Sequence, residues 1–135
     1  MIPAEGSRQA EPGGGRAAGP SPVELGRNAE RLAARWYEDH GYEVLERNWR
    51  RRGGEVDLIV RSGRTVVFCE VKARSSDRFG TGAEAVVPAK QQRLRRLASR
   101  WLAELTPAAA RSAIEVRFDV VSLTGGAIDV VEGAF

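Results

Sequence analysis

Two runs rich in β-branched residues, Gly54-Glu55-Val56-Asp57-Leu58-Ile59-Val60 and Val66-Val67-Phe68-Cys69-Glu70-Val71-Lys72, flank the polar, glycine-bearing tetrad Arg61-Ser62-Gly63-Arg64. That arrangement predicts a β-hairpin. Because side chains alternate faces along a strand, Glu55, Asp57 and Ile59 are expected on one face and Val56, Leu58 and Val60 on the other, with Phe68, Glu70 and Lys72 together on the second strand. Two carboxylates and an ammonium can therefore converge across the hairpin. Charges set among apolar residues are costly unless they pair, hold a cation or sit at an open strand end. An all-oxygen site suits a hard divalent ion such as Mg²⁺ or Mn²⁺, which neutralises a phosphate and activates water. A cross-strand ion pair on a solvated sheet face would use the same residues.

With 135 residues the chain is expected to form one domain, residues 22–135, preceded by a disordered tail, residues 1–21, rich in Gly, Ala, Pro and Ser. The net charge is only +3, yet the isoelectric point of about 9.6 reflects arginine clusters that favour a phosphate-bearing partner. The lone cysteine, Cys69, falls on the strand face opposite Glu70 and reads as a small core residue. No apolar run approaches the roughly 20 residues of a membrane helix, and no signal-peptide pattern opens the chain, so a cytoplasmic protein with no membrane partner is expected.

Ser21-Pro22 is a helix-start signal, and Leu25, Ala29, Leu32, Ala33 and Trp36 recur at helical spacing until Gly41. Glu30 falls at the border of that stripe beside Tyr37, where it would reach the rim of whatever the helix covers; local ion pairs with Arg27 and Arg31 are the alternative. A strand over Tyr42–Trp49 leads into Arg50, Arg51 and Arg52, which would grip phosphates or simply face solvent. After Lys72 comes a polar loop, Ala73 to Gly82, containing Arg74. Pro88 opens a second helix with Leu94, Leu97, Ala98, Trp101, Leu102 and Leu105 on one stripe, and with Lys90 and Arg93 among the basic residues mainly off it. Gln91 lies on the core side of its first turn. A linker over Ala108-Ala109-Ala110 precedes strands over 114–123 and 127–131, in which Asp119 and Asp129 are expected at the surface or at strand ends.

Gly26-x-x-Ala29-Glu30-x-x-Ala33, Gly41-Tyr42, Asn48, Gly54-Glu55-Val56-Asp57-Leu58-Ile59, Phe68-x-Glu70-Val71-Lys72 and Lys90-Gln91, in that order, resemble the bacterial YraN-like family. That family is similar to archaeal Holliday-junction resolvases and to nucleases of the restriction-endonuclease-like PD-(D/E)xK superfamily. The resemblance implies an α/β fold with an αβββαβ core, a mixed central sheet flanked by helices. It implies that Asp57, Glu70 and Glu30 bind a divalent metal, that Lys72 assists the attacking water, and that Gln91 stands beside the site. Val56 occupies the place of the superfamily's proline. Glu55 shares the face of Asp57 but lies a full pleat away, about 6 to 7 Å, and is expected to support the strand start without holding the ion.

The function these readings imply is metal-dependent endonucleolytic hydrolysis of DNA, in branched or structured substrates. Arg50, Arg51, Arg52, Arg74, Lys90 and Arg93 would contact the backbone, and copies pair as a homodimer to cut two strands. The alternatives are a catalytically silent nucleic-acid-binding or partner-docking module with a nuclease-like fold, and a structural protein whose charged hairpin forms an interface.

Overall fold

Helix α1, Pro22–Asp39, is started by a reciprocal cap: Ser21 Oγ accepts from the Glu24 N–H at 3.2 Å and the Ser21 N–H donates to Glu24 Oε1 at 2.8 Å. The computed structural model describes residues 21–74, 86–105 and 107–135; the expected N-terminal tail, apart from Ser21, and most of the loop after Lys72 lie outside them. Then come β1, Glu43–Arg51; β2, Gly54–Ser62; β3, Thr65–Arg74; α2, Pro88–Leu105; a short α3, Ala108–Arg111, where the linker was expected; β4, Glu115–Thr124; and β5, Ala127–Val131. The five strands form one mixed sheet in the order β1-β2-β3-β4-β5. All neighbours are antiparallel except β3 and β4, whose parallel pairing is bridged by α2. The expected mixed sheet flanked by helices is what the chain forms.

Each helix covers one side of the sheet. Ala33, Ala34 and Tyr37 of α1 meet Leu58, Val60, Val67, Cys69 and Val121. Leu94, Leu97, Ala98 and Trp101 of α2 meet Trp49, Val56, Ile59, Val66, Phe68 and Phe118. Burying each large apolar side chain is worth roughly 1.5–3 kcal/mol, so these two layers fix the helices and hence whatever their ends carry. The buried stripe of α1 differs from the expected one: Leu25 and Leu32 are 37% and 36% exposed, while Ala29, Ala33, Ala34 and Tyr37 are buried. Alanines let the helix approach the sheet closely, and the rotation brings Glu30, in line with Ala33 and Tyr37, towards the strands.

Asp119 is a correction. Expected near the surface, it is fully buried. It accepts from Tyr37 Oη at 2.6 Å, from two nitrogens of Arg117 at 2.9 Å each and from the Gly133 N–H at 3.0 Å. The reason is that β4 is an inner strand with both faces covered, so polar alternation along it does not mean exposure. Cys69 is buried as expected. Among the described residues no helix is long and apolar enough to cross a membrane.

Candidate active site

Strand β2 does not keep a regular pleat. Leu58 joins the core under α1, yet Val56, two residues earlier, joins the core under α2. Even spacing should have put both on one face, so the expected grouping of Val56 with Leu58 and Val60 is corrected. The break lies at Asp57, between the paired positions Arg47↔Leu58 and Trp49↔Val56. Opposite it Asn48 adopts φ 51°, the left-handed region that Asn tolerates better than most residues. On the other side of Asp57, the β2–β3 pairing runs only as far as Leu58↔Cys69. The Val71 N–H there donates at 2.8 Å to Asp57 Oδ2.

Opening the ladder on both sides gathers carboxylates. One oxygen each from Glu30, Glu55 and Asp57 lies within 4.8 Å of the others. Asn48 Nδ2 donates to Glu30 Oε1 at 3.1 Å, tying α1 to the irregular part of β1. Glu55, expected to support the strand start without holding an ion, offers an oxygen to the same cluster as Glu30 and Asp57. Strand parity put Glu55 on the face of Asp57; what it did not give was a carboxylate oxygen within reach of both Asp57 and Glu30.

Burial, with the neighbouring negative charges of Glu70 and Glu30 and a hydrogen bond that the protonated carboxyl donates to Glu55 adding to it, raises the pKa of Asp57 to about 7, although the Val71 N–H opposes the rise. Three carboxylates with an excess of negative charge form an all-oxygen donor set that fits a hard divalent ion.

Asp57 and Glu70 line the same cleft, of about 590 Å³, with Arg50, Arg51, Gly54, Glu55, Lys90 and Arg93. Glu70 is 6% exposed and faces two ammonium groups: Lys90 Nζ donates to its Oε2, and Lys72 Nζ stands 3.3 Å from the same oxygen. A second cleft, of about 370 Å³, opens beside α1 and is lined by Pro22, Val23, Gly26, Arg27, Glu30, Asn48, Arg50 and Glu55. The two share Arg50 and Glu55 in their linings, and the three carboxylates are divided between them, Asp57 and Glu55 in the larger and Glu30 and Glu55 in the smaller.

The remaining expected residues sort differently. Gln91 Nε2 donates to the Val86 carbonyl at 3.0 Å, and the residue lines neither cleft. Arg50 pairs with Glu55 at 2.8 Å. Arg51 pairs with Glu104 at 2.9 Å and lies over the Trp49 ring at 4.6 Å. Arg52 is exposed in the β1–β2 turn, and Arg74 is half-buried at the end of β3.

Residues 29–123 match the model of the uncharacterised protein family UPF0102. The chain is 50% identical over 116 residues to a UPF0102 protein of Frankia casuarinae, covering 82% of this chain and 95% of that one. It is 57% identical over 97 residues to one from Frankia alni, covering 72% and 78%. A third, from Beutenbergia cavernae, is 57% identical over 99 residues, covering 73% and 80%. The chain belongs to the UPF0102 family, which bears out the family resemblance drawn from the ordered motifs.

Proposed function

We propose that the protein is a metal-dependent endonuclease that hydrolyses DNA phosphodiester bonds in branched or structured substrates, as the likeness to the resolvases and the PD-(D/E)xK nucleases implies. The observation that carries this reading is the meeting of Glu30, Glu55 and Asp57 oxygens within 4.8 Å at the break in the sheet, next to Glu70 and Lys72. A Mg²⁺ or Mn²⁺ ion held there would neutralise the scissile phosphate and lower the pKa of a bound water. The chain's own residues supply positioning. Asp57 is fixed by the Val71 N–H and Glu30 by Asn48. Lys72, paired with Glu70 at 3.3 Å, would orient the attacking water or steady the developing charge. Hydrolysis needs backbone contact more than base contact, which suits a cleft walled by arginines and a lysine. Two copies acting as a pair would cut two strands.

The test is nicking of branched DNA by purified protein in Mg²⁺ or Mn²⁺, with Asp57→Ala and Glu70→Ala prepared alongside. Wild type should nick and both variants should fall to background; equal activity in all three would end the proposal. A Mn²⁺ titration of wild type and Asp57→Ala asks separately whether the carboxylates bind a cation.

A second reading is a binding module without turnover. It is favoured by the engagement of Glu70 with both Lys90 and Lys72, which leaves that carboxylate already neutralised. It requires salt-dependent DNA binding that survives Glu70→Ala and needs no metal.

A further inference from the structure

The cations lining the two neighbouring clefts are of two kinds. Arg50, Arg51 and Lys90 each face a carboxylate, from Glu55, Glu104 and Glu70 respectively. Arg93 in the larger cleft and Arg27 in the smaller one have no ion pair or hydrogen bond among the described residues, although Glu24, exposed on the same helix, feels the charge of Arg27. Each of these two lies in a different cleft, and the carboxylate cluster stands between them.

Both clefts keep room for a ligand beside these arginines. Gly54 has φ +143°, and a Cβ there would come within 3.1 Å of Arg93 Cδ, so the absence of a side chain lets the arginine stem lie against the start of β2. Gly26 sits inside α1, where alanine would favour the helix by about 0.8–1 kcal/mol. A Cβ at Gly26 would meet nothing within 4 Å. Packing does not demand glycine there, and a large side chain would project into the smaller cleft.

We propose that one strand of the nucleic acid runs through both clefts and across the carboxylates, with Arg93 and Arg27 holding backbone phosphates on either side of them. A polyanion crossing four acidic side chains needs cations that no protein carboxylate already occupies, and these two provide them at both ends. The strand path deepens the nuclease reading by giving its substrate a course and two anchors. Binding itself requires no turnover.

The experiment measures affinity for a labelled single-stranded oligodeoxynucleotide against salt concentration, in chelator, for wild type, Arg27→Gln, Arg93→Gln, the double variant and Arg96→Gln. Arg96 is exposed on α2 and lines neither cleft. Each phosphate contact on a single strand contributes about 0.7 to the slope of log K against log salt. The single variants should each lose about 0.7, the double variant about 1.4, and Arg96→Gln nothing. Arg27→Lys and Arg93→Lys, which retain the charge, should restore most of the slope, and Gly26→Phe should weaken binding with no change of charge. Slopes unchanged in both single variants, or an equal loss in Arg96→Gln, would overturn the path. Mn²⁺ binding is read in parallel. If wild type binds no Mn²⁺ while the slopes fall as expected, the nuclease reading fails and the path stands. If Mn²⁺-dependent nicking occurs with unaltered slopes, the path fails and the nuclease reading stands.

Discussion

Asp57 and Asp119 are both set into the central sheet, and their surroundings are opposite in sign. Asp119 is enclosed by donors: the Arg117 guanidinium, the Tyr37 hydroxyl and the Gly133 N–H. Asp57 has one backbone donor, Val71, and is otherwise crowded by Glu30, Glu55 and Glu70. Burial alone therefore does not distinguish a structural carboxylate from a functional one. The sign of the neighbouring charge does, because a buried anion among donors is stabilised, whereas one among anions is stable only when protonated or bound to a cation.

The strongest way to break this contrast is to remove Asp119. Asp119→Ala leaves Arg117 without its bidentate partner and Tyr37 with an unsatisfied hydroxyl. Losing one member of a fully buried pair costs about 3–5 kcal/mol. Arg117 remains 25% exposed and keeps Glu132 at 3.8 Å, so about 2–4 kcal/mol is expected here. Urea denaturation measures it; a loss below about 1 kcal/mol would mean the network is not a structural anchor. Tyr37→Phe tests the same network more gently. It removes one hydrogen bond to a charged acceptor while keeping the ring, and should cost about 1.5–3 kcal/mol by the same measurement.

At Asp57 the sign reverses. Its folded-state pKa of about 7 is above the 3.8 of a solvated aspartate. The stabilising contribution of the protonated group is therefore complete below about pH 4 and is lost as pH rises through about 7. Metal-free Asp57→Asn should be more stable than wild type near neutrality, by roughly 1–3 kcal/mol, with the advantage shrinking towards pH 4. Thermal melts in chelator across that range decide the matter. A variant equal to wild type at pH 7.5 or less stable would remove the contrast between the two aspartates.

The sheet and both helices could be read from sequence because they follow from periodicity: β-branched runs around Gly63 and apolar residues at helical spacing; Asp57 and Glu70 do line one cleft, but even offsets do not account for it, since the pleat of β2 breaks at Asp57. Glu30 was legible for the same reason, its position on the wheel next to Tyr37. What escaped required knowledge of neighbours. The meeting of Glu55 and Asp57 with Glu30 depends on another helix and strand, since Asn48 of the facing strand holds the Glu30 carboxylate. The burial of Asp119 depends on Tyr37 of α1 covering its face of β4, a contact between distant parts of the chain that the alternation of Glu115, Arg117 and Asp119 does not encode. Gln91 was rightly placed on the inner side of its helix turn, but its amide is held by the Val86 carbonyl, a contact across the helix start that no spacing rule encodes.

The smallest expected effect concerns the edge of the candidate site. Gly26 lies in helical backbone with open space where a Cβ would stand, so Gly26→Ala should raise stability by about 0.5–1 kcal/mol through lower backbone entropy in the unfolded chain. Because a methyl group is small beside a cleft of about 370 Å³, Gly26→Ala should also leave DNA affinity near wild type, in contrast to Gly26→Phe. A gain in stability with no loss of binding would place the role of Gly26 in the volume it leaves free; a loss of stability would show that the helix needs glycine for a reason its backbone geometry does not carry.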